Sequence, residues 1–235
     1  MPISPNGWLD GITATLIIIS CTFFGLLSLY KSYKLKAKLL SIAGLTMFFV
    51  GFLWLGPTTD FFLKLITNTN INPPEVYVFL SYMWVAPTLV VAMYLGGELL
   101  MPKRKWLLIS IFIVLGVIFE LFLWLTPWQS FDHIEVLPGD IDGLIDASFT
   151  RAHPTFIMVA IFLVSALVFL GIGFALKAKQ TTGQLRKKFT YLSIGFIIFV
   201  ISGALDSILT LPLAIGIVRV VMSFFAVFMY LGLKT

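Results

Sequence analysis

Charged residues are scarce in this chain, and so is cysteine. Asp, Glu, Lys and Arg together make up 11% of its 235 residues, whereas hydrophobic residues make up 59%. Soluble domains carry about 25% charged residues, so the composition predicts an integral membrane protein, which we place in the cell membrane. The only cysteine, Cys21, lies in an apolar run, which excludes an internal disulfide framework and favours a buried thiol.

The motifs of catalysis and cofactor binding are also missing. We find no glycine-rich phosphate loop, no helical pair of metal ligands, no nucleophile elbow and no zincin pattern. The segment DIDG at 140–143 has the spacing of a calcium loop, but the glutamate that ends such a loop is absent. We therefore expect no enzyme, no metal site and no cofactor.

Seven stretches are apolar enough to cross a membrane as helices, for which about 20 residues are needed. Their approximate bounds are 8–30, 39–66, 76–100, 106–125, 155–176, 189–211 and 213–233. Pro212 lies in the short connection between the last two, where a proline ends the helical hydrogen-bond ladder. The prediction is an all-α membrane protein with seven transmembrane helices, forming a single domain over residues 1–235.

Lysine and arginine concentrate in alternate connections. Thirteen of the sixteen cations lie in the first, third and fifth connections or at the end of the chain. Because cytoplasmic loops carry the excess of Lys and Arg, we predict the N-terminus outside and the C-terminus in the cytoplasm. The net charge of +5 therefore does not indicate nucleic-acid binding. These basic inner loops could contact a cytoplasmic protein partner, or simply the anionic lipids of the bilayer.

Short matches between the two halves indicate an internal duplication. The letters MYLG occur at 93–96 and again at 229–232, and DFFLKL from Asp60 is echoed by DSILTL from Asp206. Spans one to three then match spans five to seven in the same orientation, which is a 3+1+3 parallel repeat. Chance similarity between apolar segments is the alternative explanation.

The connection at 127–154 is the one long predicted outer loop, and it is acidic. Its carboxylates are Asp132, Glu135, Asp140, Asp142 and Asp146. Apolar residues at helical spacing within it are Ile141, Leu144, Ile145 and Phe149. This spacing predicts a short amphipathic helix over the mouth of the bundle, with Asp140 as its N-cap.

Two opposite charges lie inside the last two spans. At a rise of 1.5 Å per residue, Asp206 and Arg219 lie on the order of 7–10 Å below the outer helix ends. Consecutive antiparallel helices place them at the same level, where a matched pair offsets much of the cost of burying each charge. The pair could be part of a pocket, or a clamp that sets the register of the two helices.

Further residues fall in the same outer layer. Glu120 and Asp60 reach a similar depth, although Asp60 near its helix end could instead be solvated, and Trp84 and Trp124 lie in the same half. Aromatic walls with a few polar groups are typical of small-ligand pockets. The predicted ligand-binding residues are Glu120, Asp206, Arg219, Asp60, Trp84 and Trp124.

The topology resembles that of microbial rhodopsins, which hold retinal on a lysine in the last span. Here the seventh span has no lysine before Lys234, and Arg219 cannot form a Schiff base, so a retinal pigment is excluded. The 3+1+3 arrangement resembles, in topology alone, the sugar-transporting SWEET family, whose Pro-Gln signature this sequence lacks.

Three functions remain open at this point. A receptor-like or sensor protein would bind a small ligand, or respond to protons, in an outward-facing pocket. A small-solute transporter would need a polar route to the cytoplasm, where the sequence supplies mainly hydroxyl groups. A structural membrane subunit would use the charged layer for packing. The sequence favours the sensor, because the ionisable residues gather in the outer half.

Overall fold

The computed structural model is about 82% helical. It describes residues 3–134, 136, 143–209 and 211–234. Within these residues, six helical spans are long and apolar enough to cross a membrane, and a bent pair of helices brings the number to seven. The protein is therefore a multi-pass membrane protein of the all-α class, as the sequence predicted.

The described residues contain eleven α-helices. The helices are α1 (Pro5–Leu35), α2 (Lys38–Phe52), α3 (Leu55–Thr67), α4 (Glu75–Tyr82), α5 (Val85–Leu100), α6 (Lys105–Leu125), α7 (Pro127–Ser130), α8 (Pro154–Ala166), α9 (Gly173–Lys179), α10 (Gly183–Asp206) and α11 (Pro212–Leu233). A 3₁₀ turn, Pro102–Arg104, precedes α6, and a π-helical segment, Leu167–Ile172, joins α8 to α9. We call the end that carries the loop at 126–153 the acidic end, and the opposite, lysine-rich end the basic end.

Two spans are interrupted at the same short motif. The sequence WLGPT at 54–58 begins at the break between α2 and α3, and WVAPT at 84–88 begins at the break between α4 and α5. Pro57 and Pro87 lack the N–H that would bond the carbonyl four residues earlier, so each proline interrupts the ladder at that carbonyl. The first interruption bends its span by 51°.

Close helix contacts hold the first and last spans together. Helix α11 packs against both α10 and α1, so the end of the chain returns to its beginning. The Ser20 hydroxyl of α1 donates a hydrogen bond of 2.7 Å to the Ser223 carbonyl of α11. Helices α1 and α2 approach so closely that a Cβ atom on Gly44 would lie 3.0 Å from the Gly25 carbonyl oxygen. Small residues permit this approach of two backbones.

The described part of the acidic-end loop forms a small hairpin. Strands β1 (Phe131–His133) and β2 (Ser148–Phe149) pair antiparallel, and Tyr82 packs on Phe131 and Phe149 with ring centroids 4.9 and 4.7 Å apart. The predicted amphipathic helix is wrong for residues 143–149, which contain no helix. Its remainder, including Asp140, Asp142 and Ile141, lies outside the described residues, as does Glu135.

The misleading apolar spacing in this loop has a physical explanation. Leu144 and Ile145 are buried, with exposed fractions of 7% and 6%. The Ile145 N–H donates a hydrogen bond of 2.8 Å to the Asp60 carboxylate. Because a partner from another part of the chain satisfies the backbone, these apolar side chains can be buried without forming a helix.

Candidate ligand-binding cavity

A cavity of about 580 Å³ extends from the acidic-end loop into the middle of the bundle. Ala92 of α5, which is 4% exposed, is among the deepest residues of its described lining. It lies eight residues from the basic end of its helix, or about 12 Å at the helical rise. Every span except α6 contributes to the described lining of this cavity. Its size is within the range of small-molecule sites.

A buried arginine with two carboxylate partners forms part of the cavity wall. Arg219 donates from Nε to Oδ1 of Asp206 at 2.8 Å. From a terminal nitrogen it donates to Oδ1 and to the backbone carbonyl of Asp10. The Arg219 side chain is only 11% exposed. We call Asp10, Asp206 and Arg219 the ionic triad; it brings together the predicted pair and a third residue from the first helix.

Asp10 was not among the predicted site residues. It lies five residues into α1, or about 8 Å from the helix start, which is close to the depth of Arg219 in α11. This matching depth was the available signal. The partnership itself depends on the packing of α1 against α11, which connects residues 209 positions apart in the chain.

Asp60 belongs to a structural connection, so its predicted place in the pocket is wrong. The side chain is completely buried and does not contribute to the described lining of the cavity. Its carboxylate accepts hydrogen bonds from the backbone N–H groups of Ile71 and Ile145, both at 2.8 Å, and from the Asn70 side chain at 3.0 Å. These bonds tie the loop after α3 to the acidic-end loop. Solvation of Asp60 is equally excluded.

Glu120 and Trp124 of α6 do not contribute to the described lining of this cavity. Trp124 Nε1 donates to Glu120 Oε2 at 3.1 Å, and the Trp124 ring stacks on Phe79 at 4.2 Å. Both residues line a separate, shallow groove of about 550 Å³ between α5 and α6. Neighbouring side chains such as Val117 are largely exposed, so this groove faces the surface that lipid covers. The prediction that they share a pocket with the ionic triad is therefore wrong.

Trp84 packs between helices and lies outside the described cavity lining. Its ring lies 5.7 Å from the ring of Phe49 and 4.8 Å from that of Phe52, both in α2. Trp54, the equivalent residue of the other Trp-x-x-Pro-Thr motif, does line the cavity. Of these two equivalent tryptophans, the predicted Trp84 lies outside the described lining and Trp54 lies within it.

The two Trp-x-x-Pro-Thr motifs also place two buried hydroxyl groups. Thr58 and Thr88 are 9% and 6% exposed. Among the described residues, neither side-chain oxygen has a hydrogen-bond partner. Only Thr88 belongs to the cavity lining. A buried hydroxyl without a partner is unfavourable, so the cavity wall contains an unused hydrogen-bonding group at Thr88.

Ionisable side chains surround the upper part of the cavity. Asp132, His133, Asp146 and Arg151 contribute to its lining from the acidic-end loop. His133 Nε2 lies 3.7 Å from an Asp146 carboxylate oxygen, and the Asp146 side chain is 76% exposed. Polar groups therefore continue from the solvent-exposed loop to the ionic triad.

Below the cavity, the core is mostly apolar, with a few buried hydroxyl groups such as that of Ser28. Met47, Met93, Phe225 and Met229 are all completely buried. Nearer the basic end, the Lys31 ammonium donates a hydrogen bond to the Tyr230 hydroxyl and lies 5.0 Å from the centroid of its ring. This contact connects α1 to α11 beneath the core.

Comparison with known proteins identifies no relatives. No family model matches the chain, and neither curated proteins nor solved structures give a significant match. Function is therefore argued from the cavity and its residues.

Proposed function

We propose that the protein is a receptor-like or sensor membrane protein that binds a small ligand in the cavity beneath its acidic end. The observation that carries the proposal is a cavity of about 580 Å³ with a buried ionic triad in its wall and an apolar core below its floor. Such a cavity can hold a molecule from one side of the membrane without a continuous polar route to the other side.

The orientation in the membrane is part of this proposal. The distribution of Lys and Arg supports an acidic end outside the cell membrane and a basic end in the cytoplasm. Ligand occupancy would then be transmitted through α1 and α11, since both contact the triad and also meet at Lys31 and Tyr230. A cytoplasmic protein partner would bind the basic connections.

The composition of the triad favours a site over a simple helix clamp. A clamp between α10 and α11 needs only Asp206 and Arg219. The additional carboxylate of Asp10 is 36% exposed, and all three residues contribute to the cavity lining. Burying a charge is costly, and a second carboxylate beside the first is explained if the cavity uses it.

A small-solute transporter is the second candidate. The two interrupted spans favour it, because discontinuous helices frequently surround the substrate sites of transporters. A 3+1+3 parallel repeat, supported by the sequence matches, would fit the same function. This candidate requires the core beneath Ala92 to open toward the basic end, whereas a receptor keeps it closed.

The two candidates differ in the side from which the cavity floor can be reached. We suggest a Cys21→Ala background carrying Ala92→Cys at the floor, labelled with a membrane-impermeant thiol reagent in vesicles of known orientation. The matched control is Met93→Cys on the adjacent, completely buried position. A receptor predicts labelling of Ala92→Cys from the outside only and no labelling of Met93→Cys.

Two results would contradict the receptor proposal. Labelling of Ala92→Cys from both sides would support the transporter, and flux of a solute into liposomes would agree with it. Failure of Ala92→Cys to react from the outside, in protein that is fully folded, would show that the cavity is not accessible and would overturn both candidates.

A further inference from the structure

The charges that line the cavity do not balance. Its lining contains the carboxylates of Asp10, Asp132, Asp146 and Asp206, and the guanidinium groups of Arg151 and Arg219. Counting these six groups alone, the described lining has a formal surplus of two negative charges. An excess of one sign in a partly enclosed, low-dielectric space attracts ligands of the opposite sign.

The ionic triad retains capacity for another cation. Both hydrogen bonds from Arg219 to carboxylates use the Oδ1 atom, one in Asp10 and one in Asp206. One guanidinium can neutralise one carboxylate, so the triad as a whole remains negative. A ligand ammonium group beside Asp10, the more exposed of the two carboxylates, would complete the neutralisation.

Aromatic side chains contribute to the cavity wall at several depths. Trp54, Tyr77, Tyr82, Phe196 and Phe199 all contribute to the lining. The faces of such rings attract organic cations and also accommodate an apolar or aromatic ligand body. They suit an amine with a hydrophobic body better than a strongly hydrated inorganic ion.

A second polar group lies in the wall deeper along the cavity. Thr88 belongs to the described lining, and its buried hydroxyl has no partner among the described residues. Thr58 has the same motif, burial and lack of a partner, but it lies outside the described lining. The pair therefore provides a test position and its matched control within one chain.

We infer that the cavity binds a small organic cation: an amine that meets the triad, an apolar body between the aromatic rings, and a hydrogen-bonding group that reaches Thr88. This inference rests on the proposed ligand-binding function and adds the chemical class of the ligand. It assigns Asp10, Asp206 and Thr88 to ligand contact, and leaves Arg219 to hold the two carboxylates in place.

Four small molecules of nearly equal size test which ligand charge the cavity prefers and whether the ligand bonds to Thr88. They are tyramine, its neutral alcohol analogue tyrosol, the anion 3-(4-hydroxyphenyl)propanoate, and phenethylamine, which lacks the phenol hydroxyl. Binding to the purified full-length protein would be measured by titration calorimetry and by the thermal shift. We expect tyramine to bind at least about tenfold more tightly than tyrosol, and the anion to bind most weakly.

The threonine pair tests the deep contact separately. One hydrogen bond contributes about 1 kcal/mol, so tyramine should bind about fivefold more tightly than phenethylamine. Thr88→Val should abolish that difference, while Thr58→Val should preserve it. Both substitutions keep the shape of the side chain, and the unfolding temperature of each variant reports whether it is folded.

Each negative result refutes a different part of the inference. If tyrosol or the anion binds as tightly as tyramine, the cavity binds ligands but the inferred charge class is wrong. If Thr58→Val and Thr88→Val act alike, the deep contact is wrong. If no probe binds although Ala92→Cys is labelled from the outside, the cation inference fails while the accessible cavity stands.

Discussion

Removal of the guanidinium from the ionic triad is the most informative perturbation of this structure. Arg219→Met keeps an unbranched side chain of similar length but leaves Asp10 and Asp206 without their shared partner. Breaking a buried ion pair from one side costs about 3–5 kcal/mol, because the remaining charge stays buried. Asp10 is 36% exposed and regains some hydration, so we expect a loss of about 3 kcal/mol in unfolding free energy.

The direction of the stability change caused by a second substitution provides a stricter test. In the wild-type background, Asp206→Asn removes the negative charge from the acceptor of a 2.8 Å hydrogen bond and should destabilise the protein by about 1.5–3 kcal/mol. In the Arg219→Met background, the same substitution removes an unpaired buried charge and should stabilise the protein. Equilibrium unfolding in mixed SDS and detergent micelles, followed by circular dichroism, measures all four variants of this cycle.

A second ion pair serves as a control. It tests whether burial, and not the mere presence of opposite charges, sets the stability lost when a pair is broken. Glu98 and Lys105 form an ion pair at the basic end, with side chains 33% and 19% exposed. Glu98→Gln should cost about 1 kcal/mol or less. The reasoning is refuted if Arg219→Met is no more harmful than Glu98→Gln, or if Asp206→Asn is equally destabilising in both backgrounds.

Three further predictions concern residues outside the triad. Asp60→Ala should lower the unfolding free energy by at least about 3 kcal/mol, since three donors lose a charged acceptor. Hydrogen exchange should then rise at Ile71 and Ile145. Unchanged exchange there would contradict the role of Asp60. Gly56→Ala should lower stability by about 1–3 kcal/mol, because a Cβ would lie 2.5 Å from the Tyr77 carbonyl oxygen; a thermal melt equal to wild type would disprove that contact. Glu120→Gln should leave tyramine affinity within a factor of about two, because α6 lies outside the described cavity lining; a larger loss in calorimetry would place Glu120 in the site after all.

Several features of the fold could be predicted from the sequence because they depend on local properties. The length of an apolar run decides whether it can span lipid, and the spans predicted near 106–125 and 213–233 agree closely with α6 and α11. The depth of a charged residue follows from counting residues along its helix, which is why Asp206 and Arg219 were paired. Pro57 and Pro87 likewise act on the backbone of their own spans.

The composition of the site depends on which side of each helix faces inward. In a soluble protein, hydrophobic periodicity marks the buried face. In a membrane bundle, the face toward lipid is as apolar as the face toward the core, so this signal is lost. Glu120 and Asp206 have similar depth in the sequence, yet Glu120 faces a lateral groove and Asp206 faces the cavity.

Length, apolarity and the positions of charges along the chain thus determined that this is a helical membrane protein with an opposite-charge pair near one end. Only the tertiary structure decided that α1 packs on α11 and adds Asp10 to that pair, that α6 does not contribute to the described cavity lining, and that Asp60 ties two loops together. These are contacts between distant parts of the chain, and they depend on the rotation of each helix about its axis, which uniformly apolar spans do not encode in their periodicity.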